Sequence, residues 1–147
     1  AIANRCHYYI PDLIKEIEGM EMIDFTYIET HKTTIVSSHF GPVIDGMELA
    51  VNGGEGSTAR IAGMRDITIC GKTGTAENPH GEDHSIFIAF APKEDPKIAL
   101  AVYVENQGFG STWAAPIASL MIEQYLTGEV NRRWLEQYVL KGNTDKE

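Results

Sequence analysis

Two hydrophobic periods divide the chain. After Pro42, the apolar positions Val43, Met47, Ala50 and Val51 recur at helical spacing and stop at Gly53-Gly54, which predicts a helix closed by a C-terminal glycine signal. Three runs rich in β-branched and aromatic residues follow, 66–72, 85–91 and 98–105, each bounded by Gly, Pro, Asn or Asp, and these predict strands. The link Pro92-Lys93-Glu94-Asp95-Pro96-Lys97 is too short for a crossover helix, so the second and third strands should pair antiparallel. Beyond Gly108-Phe109-Gly110, Ser111 or Thr112 can cap a helix reaching about Leu126, with Pro116 in its opening turn and Gly128 as its stop. The predicted fold class is α+β, an antiparallel sheet flanked by helices, and a two-layer piece of this kind needs a cover on its second face.

The first third of the chain is less regular. Ala1-Ile2-Ala3-Asn4 reads as the last turn of a helix with no capping residue ahead of it, a hint that residues are missing upstream. Tyr8-Tyr9-Ile10-Pro11 is extended in character, because the residue before a proline avoids the helical region. Residues 22–36, with Phe25-Thr26-Tyr27-Ile28, suggest irregular strands or an exposed hairpin. No repeat or low-complexity stretch interrupts the sequence, so residues 1–140 read as one unit, and the polar tail 141–147 should fray.

Composition narrows the function classes. The 147 residues are 43% hydrophobic, enough to fill a core. A net charge of -9, from 21 acidic and 12 basic side chains, argues against nucleic acid as a partner, since phosphate binding needs clustered Lys and Arg. No apolar run approaches the roughly 20 residues that span a bilayer, so no membrane segment is expected in this stretch. The first residues lack the basic and apolar regions of a signal peptide, which is compatible with an exported protein that begins after its anchor. Cys6 and Cys70 match no Cys-x-x-Cys pattern. Cys70, inside Ile67-Thr68-Ile69-Cys70, reads as a buried structural thiol, and whether the two cysteines pair is left open.

The segment with most chemical content is Gly71-Lys72-Thr73-Gly74-Thr75-Ala76-Glu77, placed at the end of the first predicted strand. A phosphate-binding loop would need a glycine where Asp66 stands and a helix afterwards, where Asn78-Pro79-His80-Gly81 follows instead. Acyl transfer by an active-site serine fits better. There a cation and a hydroxyl hold a substrate carboxylate, a glycine lets the strand backbone approach the substrate, and an amide N–H just beyond it faces the developing oxyanion. Lys-Thr-Gly is one part of that signature; Ser-x-x-Lys and a Ser-x-Asn-like element are the others.

Three residues recur by chance, but the flanks extend the likeness. Gly71 to Glu77, His84-Ser85-Ile86-Phe87-Ile88-Ala89-Phe90-Ala91-Pro92 and Ile98-Ala99-Leu100-Ala101-Val102-Tyr103-Val104-Glu105-Asn106 resemble the final strands of class B penicillin-binding proteins, most of all the elongation type known as penicillin-binding protein 2. Upstream, Ala3-Asn4-Arg5 with Tyr8-Tyr9-Ile10-Pro11 resembles the segment after the family's Ser-x-Asn region, and Gly46-Met47 with Val51-Asn52 resembles the helix before its Lys-Thr-Gly strand. The likeness reaches about residue 128; the insert 20–34 and the tail carry none of it.

The resemblance implies a partial β-lactamase/transpeptidase-like fold, the C-terminal portion of a transpeptidase domain. It implies D,D-transpeptidation of peptidoglycan stem peptides ending in D-alanyl-D-alanine, through a serine acyl-enzyme that β-lactams also form. By the same likeness Lys72 would organise the proton network and the carboxylate electrostatics. Thr73 and Thr75 would bind the carboxylate, Gly74 would permit close approach, and the backbone N–H of Thr75 would serve the oxyanion. His84 is a candidate wall of the site. The parent protein would be anchored in the bacterial cytoplasmic membrane, with this domain on its outer side and cell-wall synthesis proteins as partners. No metal or organic cofactor is implied.

The nucleophile has no candidate. Ser37, Ser38, Ser57, Ser85, Ser111 and Ser119 are followed three positions on by Phe40, Gly41, Arg60, Ile88, Ala114 and Ile122, and no Ser-x-Asn occurs. A serine is a weak nucleophile without a neighbouring base, so the chain alone is expected to be inactive, a segment cut downstream of its serine. Two alternatives stay open: a serine β-lactamase-like hydrolase, and a non-catalytic binding module. Among other features, His80-Gly81-Glu82-Asp83-His84 reads as a solvated loop because its histidines lack the helix that would align them on a metal. His31 and His39 are expected to face solvent. Phe109 and Trp113 are expected at a core or rim, and Glu123, Glu129, Arg132, Arg133 and Glu136 on the solvated side of C-terminal helices.

Overall fold

The computed structural model describes residues 1–11 and 28–142. The chain divides into two compact units, residues 1–43 and 44–147. Phe25 to Tyr27 of the expected hairpin, most of the insert and the tail beyond Gly142 lie outside the described residues.

In the first unit, residues 1–6 form turns rather than the end of a regular helix. Arg5 N–H bonds Ile2 O at 3.1 Å and Cys6 N–H bonds Ala1 O at 3.3 Å, and Arg5 and Cys6 both adopt positive φ, at 51° and 123°. The extended stretch is short. Strand β1 (His7–Tyr8) pairs antiparallel with β2 (His31–Lys32), and Thr33 N–H extends the contact to Cys6 O at 2.8 Å. His31, expected in solvent, is stacked on Tyr8 with ring centroids 5.5 Å apart, because the two residues face each other across the ladder. Its Nε2 is buried and has no partner among the described residues.

The helix α1 spans Phe40–Asn52. Its buried stripe is Phe40, Ile44, Met47 and Val51, whereas Val43 is 48% exposed. The expected helix is present, but its inward face is rotated by about one residue from the predicted set, since Phe40, Ile44, Met47 and Val51, at i, i+4, i+7 and i+11, complete the stripe. The side chain of Asn52 donates to Ile69 O at 2.9 Å, which ties the end of α1 to the entrance of the sheet.

The sheet has the order β3 (Cys70–Ala76), β4 (His84–Ala91), β5 (Ile98–Val104), all antiparallel. The second and third strands match expectation; the first lies four residues further along than 66–72. Thr73 and Thr75 are β-branched and continue the ladder through seven pairs, from Cys70 opposite Phe90 to Ala76 opposite His84, so the glycines between them do not end the strand. The Lys-Thr-Gly segment therefore sits in the middle of an edge strand rather than at its end.

Alternation assigns the two faces. On one, Ser85, Phe87, Ala89 and Ala91 of β4 are buried beneath α2 (Ala114–Thr127), whose Ala114, Ala115, Ala118 and Ile122 complete the core. Alanines at these positions let the helix axis lie close to the sheet. Burying side chains of the size of Phe87 or Ile122 contributes about 1.5–3 kcal/mol each. On the other face, the ladder brings Lys72, Ile88 and Ala101 into one row and Gly74, Ile86 and Tyr103 into the next. Ile88 and Tyr103 stay 41% and 53% exposed, so this face lacks a complete cover.

Helix α2 begins later than expected, and neither Ser111 nor Thr112 caps it. Its N-cap, Trp113, makes no side-chain bond; instead Ser85 Oγ on β4 accepts Ala114 N–H at 3.1 Å. The stop is as predicted, with Gly128 left-handed at φ 82° and its N–H bonded to Gln124 O at 3.0 Å. Helix α3 (Arg133–Lys141) packs on α2 through the buried Leu135. Tyr138 stacks on Trp113 at 5.8 Å and donates its hydroxyl to Thr112 O at 3.2 Å, so Trp113 packs at a rim. Phe109 stands 71% exposed.

Glu123 and Arg132 overturn their expected solvated placement. Glu123 is 3% exposed, four residues after the buried Ser119, and so on the inward stripe of α2. Arg132 Nε meets its Oε2 at 3.0 Å, while the other guanidinium nitrogens donate to Gly63 O and Ser119 O at 3.3 and 2.8 Å. Asn131 N–H donates to Glu123 Oε1 at 3.1 Å. Nearly every polar atom of the buried pair is thereby partnered, which is the condition for tolerating charge inside a core. Arg133 and Glu136, paired at 2.9 Å, and Glu129 stay at the surface as expected.

Candidate active site

Strand β3 is the outer strand of its sheet, so side chains from both of its faces can bend round one free edge. Lys72 belongs to the row of Ile88, and Thr73 and Thr75 to the rows of Phe87 and Ser85. The ammonium nevertheless reaches round the edge. Lys72 Nζ donates to Thr73 O at 2.8 Å and lies 3.4 Å from Thr73 Oγ1. A cation and a hydroxyl are thus gathered at one exposed point, and among the described residues Lys72 has no carboxylate partner. Thr75 follows two positions on, exposed and on the same face as Thr73.

Gly74 sits between them, and the close approach here comes from behind. Gly110 is buried against the backbone of Gly74 and Ile86. A Cβ at Gly110 would collide with Ile86 O and stand 2.6 Å from Gly74 O, so only glycine fits.

His84 is not gathered into this group. It lies opposite Ala76, four ladder positions from the Lys72 row, roughly 13 Å at the rise of a strand. Its Nδ1 accepts Asn106 N–H at 3.1 Å and its ring packs against Tyr103 at 5.2 Å. Asn78 joins the same knot by donating to Asn106 Oδ1 at 2.7 Å and to Asp83 Oδ1 at 3.2 Å through its N–H. This side-chain web, with Gly108 N–H on Asp83 O at 2.7 Å, ties the β3–β4 loop to the exit of β5. Among the described residues no three His, Cys, Asp or Glu side chains converge as a metal site would require.

Two further polar arrangements lie away from the edge. Lys93 bridges Asp45 and Glu48 of α1 at 2.8 and 2.5 Å, and these carboxylates raise its affinity for a proton. Cys70 is buried, with its pKa pushed up to about 11, first by burial and then by the nearby Glu48 carboxylate, so it is no nucleophile at neutral pH. Both cysteines are free thiols. An apolar cavity of about 600 Å³ is lined by Ile2, Ile35, Val36, Phe40 and Val43 of the first unit, far in sequence from the Lys-Thr-Gly strand.

The family described as the penicillin-binding protein transpeptidase domain matches residues 1–123. This chain belongs to that family. The peptidoglycan D,D-transpeptidase MrdA of Haemophilus influenzae is 30% identical over 133 residues, which cover 79% of this chain and 20% of MrdA. Among solved structures, penicillin-binding protein 2 of Pseudomonas aeruginosa superposes with a TM-score of 0.68 at 32% identity, covering 90% of this chain and 29% of that one. Penicillin-binding protein A of Mycobacterium tuberculosis, solved as its imipenem acyl-enzyme complex, gives 0.65 at 29% identity, over 86% of this chain and 28% of that one. The chain is thus similar to a class B penicillin-binding transpeptidase, and spans between a fifth and a third of the length of these three relatives. Its antiparallel sheet with flanking helices is the α+β arrangement of those structures.

Sequence reasoning missed three groups that the structure makes prominent. Ser85 begins an apolar run at the inward phase shared by Phe87, Ala89 and Ala91, and a hydroxyl there must find a partner; that phase was the available signal. Glu123 likewise stands on the inward stripe of α2. The Lys93 bridge to α1 had no local signal, because its partners lie 45 and 48 residues away.

Proposed function

We propose that this chain is the substrate-carboxylate and oxyanion side of a serine-type peptidoglycan D,D-transpeptidase, with residues 1–140 forming the C-terminal portion of its transpeptidase domain. The observation that carries the reading is the ammonium of Lys72, without a carboxylate partner among the described residues, drawn to Thr73 on the free edge of β3, with Thr75 beside it. A carboxylate at that edge would accept from the Thr73 and Thr75 hydroxyls and lie in the field of Lys72, a charge-assisted arrangement. The backbone N–H of Thr75 would meet the oxyanion as it forms, and Lys72 would also order the proton path.

A serine hydroxyl would attack the carbonyl of the D-alanyl-D-alanine bond and expel the terminal D-alanine. An amine of a neighbouring stem peptide would then take the acyl group, restoring the serine. A β-lactam would open on the same serine and occupy the same edge with its carboxylate. The 147 residues offer no Ser-x-x-Lys, so the nucleophile comes from residues outside them, and this stretch alone forms no acyl-enzyme. No helix among the described residues is long and apolar enough to cross a membrane. The reading places the parent protein on a membrane anchor elsewhere in its chain, with this region on the outer side among other cell-wall synthesis proteins.

Acylation by a fluorescent penicillin tests this directly. The full-length gene product should become covalently labelled and the 147-residue chain should not. An unlabelled full-length protein would sink the transpeptidase and β-lactamase-like readings together and promote the non-catalytic module. Rapid turnover of the label would favour the hydrolase.

A further inference from the structure

The back of the Lys-Thr-Gly strand is held by a contact that neither the motif nor its expected roles include. Ser85 is fully buried in β4 directly opposite Thr75. Its hydroxyl donates to Phe109 O at 2.9 Å and accepts Ala114 N–H at 3.1 Å, so a single side chain joins the strand, the 108–113 connection and the first turn of α2. Gly110, within that connection, seats its Cα against the backbone of Gly74 and Ile86, and its carbonyl accepts Ala115 N–H at 2.9 Å. Both contacts converge on the two residues, Gly74 and Thr75, whose backbone the transpeptidase reading aims at the oxyanion.

We infer that Ser85 and Gly110 are positioning residues that fix the height and tilt of the Gly74–Thr75 backbone from behind the sheet. The inference rests on that transpeptidase reading. The physical reason is the shape of an edge strand: β3 is hydrogen-bonded on one side only, and its outer edge must stay open to admit a substrate. An edge held from one side can ride up or down by a fraction of an ångström at little cost, and glycine at 74 adds freedom of its own. An oxyanion donor tolerates little such drift, because its hydrogen bond is effective only when it is held ready before charge develops. The α2 side of the sheet, away from the free edge, is where a brace can act without blocking entry. Ser85 supplies it by anchoring the 108–113 connection, and Gly110 by lying directly on the Gly74 peptide. Neither touches the substrate, so they should govern the reaction step more than the binding of the carboxylate.

The test uses the full-length protein and a fluorescent penicillin over a concentration series, which separates the maximal acylation rate from the half-saturating concentration. Ser85→Ala removes both hydroxyl bonds, Gly110→Ala presses a methyl group onto Gly74 O, and Glu123→Gln weakens the distant buried ion pair as a control for simple loss of stability. Ser85→Ala should lower the maximal rate by about 10- to 100-fold and leave the half-saturating concentration within about twofold, the pattern of a misplaced reacting geometry. Gly110→Ala should do at least as much. Glu123→Gln should lower the melting temperature without changing the acylation rate of the folded protein. If Gly110→Ala is unfolded at the assay temperature, Ser85→Ala decides alone. Unchanged rates in folded Ser85→Ala, or a loss no larger than Glu123→Gln shows at equal melting temperature, would overturn the inference and leave the transpeptidase reading standing. A wild-type protein that takes no label would remove both.

Discussion

The two faces of the three-stranded sheet are built on opposite rules. Beneath α2, Phe87, Ala89 and Ala91 are packed to exclusion of water, and the polar groups that enter this layer are partnered: Ser85 with Phe109 O and Ala114 N–H, Glu123 with Arg132 and Asn131 N–H. The other face leaves Ile88 and Tyr103 half in water and ends at an edge where Lys72, among the described residues, bonds Thr73. One face is therefore a completed core and the other an incomplete wall beside the candidate chemistry. The difference teaches that the stability of this segment and its proposed function rest on separate sets of side chains joined by one strand pair, so each can be altered while the other is watched.

The largest effects should come from the completed face. Phe87→Ala should destabilise by about 3–5 kcal/mol, the cost of an aromatic deletion in a closed core. Arg132→Ala should cost a similar ~3–5 kcal/mol, because it strands the Glu123 carboxylate without its cation inside the protein. Urea unfolding followed by tryptophan emission reads both, since the two tryptophans, Trp113 and Trp134, stand in this unit. A loss below about 1 kcal/mol for Arg132→Ala would mean that water reaches Glu123 and that the pair behaves as a surface one.

Lys72→Met asks the converse question at the open edge. It should leave the unfolding midpoint nearly unchanged, because the ammonium is exposed and its bonds among the described residues go to the adjacent Thr73. Penicillin acylation of the full-length protein should fall by about 100-fold, the scale of one charge-assisted contact to a carboxylate, or about 2.7 kcal/mol. A large drop in stability with little change in acylation would reverse the assignment of roles.

Cys70 marks where the helix end and the sheet meet, and pH reads it. Its folded pKa is raised from 9.0 to about 11, so between those values the folded state holds a proton that the unfolded state releases. Stability contributed by the neutral thiol is full below pH 9 and is lost as pH rises towards 11, by about 1.4 kcal/mol for each pH unit. The difference between wild type and Cys70→Ala in urea midpoints across that window isolates the contribution from other titrating groups. Parallel curves would mean that the thiol is not shielded.

Much of this division was legible in the sequence, and the parts that were not share a cause. The β-branched and aromatic runs 85–91 and 98–105, bounded by turn residues, pointed to β4 and β5, and Gly128 to the end of α2, because each signal is local. The first strand was expected to stop at Lys72, ahead of Gly74, whereas pairing with β4 carries it through both Gly71 and Gly74 despite their weak strand preference. The cap of α2 was assigned to Ser111 or Thr112 by proximity, yet Ser85 supplies it from 29 residues away. Glu123 and Arg132 look like surface charges until the helices they join are packed. The carboxylate-binding set Lys72, Thr73 and Thr75 could be named from its motif, but not how Lys72 reaches round the edge to Thr73, since facing depends on which residues the ladder pairs.

The smallest effect is the one that probes the incomplete wall. Ile88 and Phe87 are adjacent in β4 and point to opposite faces, so they compare the two environments within one strand. Ile88→Thr keeps the β-branched shape that suits a strand, and trades an apolar ethyl branch for a hydroxyl that water can bond. In the 147-residue chain it should shift stability by no more than about 0.5 kcal/mol, as expected of an exposed position. The full-length protein should feel it more, by about 1 kcal/mol, because a sheet with helices on one face needs a second layer to cover its apolar residues there. Equal and negligible shifts in both would mean that the Ile88–Tyr103 face stays open to solvent in the whole protein. A shift of 2 kcal/mol or more in the 147-residue chain would show that the face is already covered within it, and the contrast between the two faces would then fail.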